Sequence, residues 1–155
     1  DLHRVDRRQR QMCIRDRLRD GMPYYVNGAG GDQHLDILNF IGGNSIRTWG
    51  TENAKEILDK SHELGISVCL GLWVGHERHG FDYNDEYAVK AQLESFKKEI
   101  LKFKDHPALL MWAVGNEVDL FYSNFRVWDA VGESVTLLYN GAKWVVVGQF
   151  GVTIS

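Results

Sequence analysis

The 155-residue sequence holds no apolar run of about 18 residues, the minimum for a membrane-spanning helix, so no transmembrane segment is expected. Its N-terminus lacks the apolar core of a secretory signal. Compartment is undetermined from these residues; a secreted or periplasmic full-length protein is one option. Cysteine is scarce: Cys13 sits in a polar, Arg-rich stretch and Cys69 inside an apolar run, a pair that does not make a disulfide framework. Basic residues are not clustered in the body of the chain. Residues 1–20 hold seven Arg against four Asp, and since the whole chain carries −3, the remainder carries −6. A mildly acidic body with scattered Lys lacks the basic face that nucleic-acid binding requires, so that class of partner is set aside.

Residues 1–20 have too few apolar positions for a buried face, and their Arg/Asp interleaving would at best make a solvated helix. The stretch RQMCIRDR resembles translated sequencing adaptor. The segment is therefore expected to be non-native or disordered and to lie outside the fold. With 44% hydrophobic residues, the rest suffices for one domain with a real core.

From residue 22 onward, short apolar runs alternate with helical patterns, the signature of parallel strands joined by crossover helices. Residues 24–27 predict a first strand, with Gly28, Gly30 and Gly31 turning the chain into a short helix over 35–40 that Gly42 and Gly43 close. Residues 44–49 predict a second strand. Asn53 and Glu56 read as a capping box for a helix that carries Ala54, Ile57, Leu58 and Leu64 on one face and stops at Gly65. Residues 66–74, apolar almost throughout, predict a third strand covered on both faces. A polar loop over 75–84 leads to a long amphipathic helix over 85–103, with Leu93, Phe96, Ile100 and Phe103 inward. Pro107 disfavours helix at His106, and residues 108–114 predict a fourth strand. Ser123 is a candidate cap for a helix over 125–138, and residues 143–147 predict a fifth strand. The fold class implied is α/β, with four to five βα units over residues 21–155, the least regular part being 132–155.

In such folds ligands meet the chain beyond the carboxyl ends of the strands. The residues expected there are Asn27, Arg47, Trp49, Trp73, His76, Glu77, Asn116 and Glu117. A carboxyl group that protonates a leaving oxygen is the first need of glycoside hydrolysis, and a second carboxylate about 5 Å away is the second need if configuration is retained. Glu117 suits the first role: Met111, Trp112, Ala113 and Val114 precede it and would desolvate it, favouring the protonated form an acid needs. Asn116 can hydrogen-bond a sugar hydroxyl. Taken alone, Asn-Glu equally well opens a following helix. Trp49 and Trp73 can stack on sugar rings or pack in a core. The loop GHERHG, residues 75–80, places its two His three apart rather than in H-E-x-x-H spacing, so it reads as a solvated active-site loop in which His76 or Glu77 contacts substrate; no metal and no cofactor are expected.

The run HPALLMWAVGNE, residues 106–117, closely resembles the strand-four motif of glycoside hydrolase family 2 catalytic domains: His-Pro, an apolar strand, Trp, then Asn-Glu. GMPYYVNGAGG (21–31), GGNSIRTWG (42–50) and ELGISVCLGLWV (63–74) extend the resemblance over roughly residues 21–130. It implies the N-terminal half of a (β/α)₈ TIM barrel of the large retaining clan, acting on β-linked oligo- or polysaccharides. Glu117 would be the acid/base, Asn116 its substrate-binding neighbour, and Arg47 the arginine supporting the nucleophilic carboxylate. The family's nucleophile is a Glu ending strand seven, so it is expected outside this sequence, and the polypeptide as written is expected to be inactive and poorly soluble. A transglycosidase on β-glucans, a carbohydrate-binding barrel without catalysis and a metal-dependent barrel hydrolase are the alternatives that share the fold.

Overall fold

The computed structural model describes residues 18–19, 22–139 and 144–147. Two short strands, β1 (Leu18–Arg19) and β2 (Met22–Pro23), pair antiparallel. There follow β3 (Gly28–Gly30), α1 (Leu35–Phe40), β4 (Ser45–Arg47), α2 (Ala54–Glu63), β5 (Ser67–Leu72), a single 3₁₀ turn (Glu77–His79), α3 (Glu86–Phe103), β6 (Leu109–Val114), α4 (Arg126–Tyr139) and β7 (Trp144–Val147). Strands β3 to β7 form one sheet in chain order, every neighbouring pair parallel. Helices linking β3 to β4, β4 to β5, β5 to β6 and β6 to β7 make these consecutive βα units of an incomplete TIM barrel. None of the described helices is long and apolar enough to cross a membrane.

The central strands read in sequence as they sit in space. Val68, Leu70 and Leu72 of β5 are fully buried, as are Trp112 and Val114 of β6, because helices cover one face and the barrel interior the other. On α2, Ala54, Ile57, Leu58 and Ser61 are buried at helical spacing. Leu58 is fully enclosed, a burial that contributes about 2 kcal/mol. Helix α3 starts where Asp85 caps it, its carboxylate accepting from the amides of Tyr87 (2.9 Å) and Ala88 (3.1 Å). It buries Phe96, Ile100 and Phe103, with Leu93 partly covered.

Two expectations are corrected, the place of the first strand and the capping box. The first barrel strand is Gly28–Gly30, not residues 24–27, because its glycines are strand residues rather than a turn. A Cβ on Gly28 would run into the carbonyl of Ser45 on the adjacent strand, and one on Gly30 would touch the Trp49 ring, so glycine here permits close approach. Asn27 consequently lies before the first strand, bonded to Asn44 and Gly42 at the rim opposite the strand ends. The capping box at Asn53 and Glu56 does not form. Asn53 is left-handed (φ 55°) and its side chain makes no capping bond, a conformation Asn tolerates better than most residues. Residues 1–17 lie outside the described residues, as do Cys13 and positions 148–155, but Leu18–Arg19 join the fold. Arg19 lies 5.4 Å over the Tyr24 ring. Backbone pairing is indifferent to the polarity that argued against this segment.

The amino end of the sheet is turn hardware, as expected of Gly65 and the His-Pro dipeptide. Gly65 is left-handed (φ 69°), and the His106 ring meets Asp59 at 3.2 Å through Nε2 while its Nδ1 accepts from the Ala108 amide at 3.2 Å. Tyr24 donates to the Asn44 carbonyl at 2.7 Å and lies 3.0 Å from the Ser67 hydroxyl, closing this end over β4 and β5.

Candidate active site

All five sheet strands point the same way, so Arg47, Trp49, Trp73, His76, Glu77, Asn116 and Glu117 emerge on one rim. The strand ends are bolted together there. Thr48 accepts from the Gly71 amide at 3.1 Å through its hydroxyl, and the Gly115 amide donates to the Leu72 carbonyl at 2.8 Å. Gly71 must be glycine, since a Cβ would run into the backbone of Thr48 and Trp49. Cys69 is half-buried on β5, and burial pushes its thiol up to about 11, so it stays protonated and inert.

Beyond β6 the chain reverses. Gly115 (φ 71°) and Glu117 (φ 49°) both adopt left-handed backbone around Asn116. For a non-glycine residue this costs on the order of 1–2 kcal/mol, and it persists only where surrounding contacts over-determine it. Those contacts are present. Arg47, at the end of β4, donates from Nη2 to the Asn116 side-chain oxygen at 3.1 Å. His76 Nε2 lies 2.6 Å from the Asn116 carbonyl oxygen. Arg78 Nη2 lies 3.3 Å from Glu117 Oε2.

Glu117 differs from expectation in its surroundings. Its side chain is 58% exposed and faces Arg78, not an apolar pocket, because the left-handed turn lifts it off the strand axis. An exposed ion pair of this length is worth about 0–1 kcal/mol, little enough for a ligand to displace. Arg47 holds a second feature of note: its Nε is buried and meets no hydrogen-bond partner among the described residues.

The two tryptophans are rim residues, 43% exposed at Trp49 and 39% at Trp73. Trp73, His76 and His79 form an aromatic trio, with ring centroids 4.7 Å apart between Trp73 and His76 and 5.2 Å between His76 and His79. His76 is 4% exposed. That burial turns its ring toward protein partners, and it also lowers the imidazole below the usual histidine range despite the bond to Asn116.

Glu77 is likewise engaged by protein. Its carboxylate accepts from the amides of Asn124 (2.9 Å) and Ser123 (2.6 Å) and from the Ser123 hydroxyl (3.0 Å). Both oxygens are engaged by the loop after Glu117, so they clamp that loop to the strand end. Ser123 thus caps no helix; the Asn124 side chain accepts from the Arg126 amide at 3.0 Å instead. Arg78 and His79 stand in the sequence only as members of the strand-end loop, His79 as the second histidine of a spacing that does not suit a metal. Their only signal was their place in GHERHG, and nothing local says which neighbour each would meet.

The clamp is pH-sensitive in a stated direction. The amides of Asn124 and Ser123 hold the Glu77 carboxyl below the ordinary 4.5. A depressed acid stabilises the fold above its unfolded value, and that stabilisation drains away as pH falls through the folded one. Protection of the Ser123 and Asn124 amides, measured as the exchange rate relative to the intrinsic rate at the same pH, should therefore be present near neutrality and fall on acidification below about pH 4.5. In Glu77→Gln, protection should already be lost at pH 7; protection unchanged in that variant would show the clamp to be unimportant.

A profile described as "Glycosyl hydrolases family 2, TIM barrel domain" matches residues 32–143. Among curated proteins, a β-galactosidase of Bacteroides ovatus is 29% identical over 118 residues, covering 74% of this chain and 14% of that protein. A β-glucuronidase of Mus musculus is 27% identical over 119 residues, covering 64% and 18%. The chain thus spans less than a fifth of the curated relatives it matches. Among solved structures, a β-glucuronidase from an uncultured Clostridium sp. superposes with TM-score 0.65 at 21% identity, covering 87% of this chain and 27% of that one. A β-galacturonidase of Eisenbergiella tayi bound to galacturonate gives TM-score 0.64 at 19% identity, covering 83% and 26%. These structural likenesses concern the fold alone.

Proposed function

Because the chain belongs to glycosyl hydrolases family 2, over that family's TIM barrel domain, we propose that it carries the acid/base side of a retaining β-glycosidase active site. Glu117 gives a proton to the glycosidic oxygen as its bond to the anomeric carbon breaks. A second carboxylate takes that carbon as a glycosyl ester, and Glu117, now ionised, removes a proton from the water that hydrolyses it.

The observation that carries this reading is the bridge at Asn116. Its side-chain oxygen accepts from Arg47, 69 residues earlier in the chain. That leaves the amide nitrogen free in orientation to donate to a sugar hydroxyl beside Glu117, and it fixes Arg47 at the same point of the rim. The orphaned Arg47 Nε then suits a carboxylate, since a buried donor without a partner is costly. In this reading the nucleophile arrives there from the seventh barrel strand, beyond the five strands described. Trp49 and Trp73 offer flat faces for sugar rings. The substrate is a β-linked oligo- or polysaccharide, and relatives named as β-galactosidases and β-glucuronidases make a hexose or hexuronic acid the sugar to try first.

The test is turnover by the intact enzyme that carries this segment, with nitrophenyl β-galactoside, β-glucuronide and β-glucoside as substrates. Proton NMR of the sugar released should show the β-anomer appearing first. An α-anomer first, or no turnover of any β-glycoside, would overturn the assignment.

A further inference from the structure

Three consecutive residues of the loop after β5 each grip a different point of the β6 rim. His76 holds the Asn116 carbonyl, Glu77 holds the amides of Ser123 and Asn124, and Arg78 reaches the Glu117 carboxylate. The first grip differs from the others in being buried. His76 is 4% exposed and its ring meets both Trp73 and His79, which also stack on each other with centroids 6.5 Å apart. A ring so buried has little room to follow its partner if the partner moves. It imposes a position.

What it imposes is the orientation of the Asn116–Glu117 peptide. The carbonyl that His76 engages belongs to the peptide whose nitrogen is Glu117's own, and that residue sits in left-handed backbone. Rotation of this peptide would swing the Glu117 side chain off the rim. Only a ring nitrogen that bears hydrogen can donate to a carbonyl, so Nε2 carries the proton. Nδ1 is buried without a partner among the described residues, and a proton there would be an unsatisfied buried donor. The ring is accordingly the neutral Nε2–H tautomer, with its one donor committed to Asn116.

We propose that His76 is a positioning residue for the acid/base: through the Asn116 carbonyl it holds Glu117 where its carboxyl can reach the departing oxygen. This rests on the reading of Glu117 as acid/base and adds to it a residue that touches neither substrate nor the reacting atoms.

A positioning role has a signature that general loss of structure lacks. Proton donation matters greatly for a poor leaving group and hardly at all for one already stable as an anion. In the intact enzyme, His76→Phe should lower kcat/KM roughly tenfold to a hundredfold for an alkyl β-glycoside, the range expected when a catalytic group is misplaced by an ångström, and by less than about threefold for the 2,4-dinitrophenyl glycoside of the same sugar. His76→Gln, which retains an amide donor near the position of Nε2, should recover most of the loss. Equal losses on both leaving groups, or no loss on either, would overturn the proposal. Should His76→Phe fail to fold, nitrogen NMR of imidazole-labelled wild-type enzyme decides: a neutral ring protonated at Nε2 is required, and an Nδ1–H tautomer or an imidazolium at pH 7 refutes the grip. Absence of glycosidase activity in the wild-type enzyme would sink the acid/base reading and this proposal with it. Activity with a normal leaving-group dependence in His76→Phe would sink this proposal alone.

Discussion

Glu117→Gln in the intact enzyme is expected to lower kcat/KM by roughly 10²–10⁴ on glycosides with poor leaving groups, the range general acid–base catalysis contributes. Gln is close in size to Glu but cannot give up a proton. The same substitution should leave thermal stability nearly unchanged, because the side chain is 58% exposed and its ion pair with Arg78 is long. The contrast between a large kinetic loss and a small shift in Tm separates catalysis from folding. Steady-state kinetics on an alkyl and a dinitrophenyl glycoside, with calorimetry alongside, make the measurement. A variant that retains more than half the wild-type rate on the alkyl glycoside would remove Glu117 from the mechanism.

The second large effect concerns the 155-residue polypeptide purified by itself. It should turn over no nitrophenyl β-glycoside and should self-associate on size-exclusion chromatography. The described sheet has five parallel strands with β3 and β7 at its edges, whereas barrels of this fold close with eight. Open parallel edges present unpaired backbone groups to other chains. The helix following the edge strand β3 adds to the problem, with Phe40 90% exposed and Ile37 and Ile41 beside it also exposed. Such a patch is normally covered. A monodisperse, active 155-residue chain would show that these strands make a complete site unaided.

The regular elements were largely legible in the sequence because their signals are local. The α3 boundary at Asp85 and the inward face of Phe96, Ile100 and Phe103 follow from a capping residue and a 3.6-residue period. Strands β5 and β6 follow from near-continuous apolar runs. Local signals failed where one residue type serves two purposes. Gly28 and Gly30 read as a turn but lie in a strand, since glycine permits both a reversal and a close interstrand approach. Asn53 and Ser123 read as caps, yet one is left-handed without a capping bond and the other bonds Glu77. Their short polar side chains serve whichever partner arrives.

The sequence by itself determined the order of βα units, the rim on which polar residues gather and, Asn27 apart, the residues found there, because strands joined by crossover helices run parallel and so bring every carboxyl end to one side. Only tertiary structure decided who meets whom on that rim. Arg78 reaches Glu117 across 39 residues, His76 reaches Asn116 across 40, and Glu77 spans 46 and 47 to Ser123 and Asn124. Those meetings depend on the register between β5 and β6 and on three left-handed residues after β6, Gly115, Glu117 and Phe121. Neither leaves a periodic trace in sequence, so only the structure shows that the loop over 75–80 holds the Asn116–Glu117 turn.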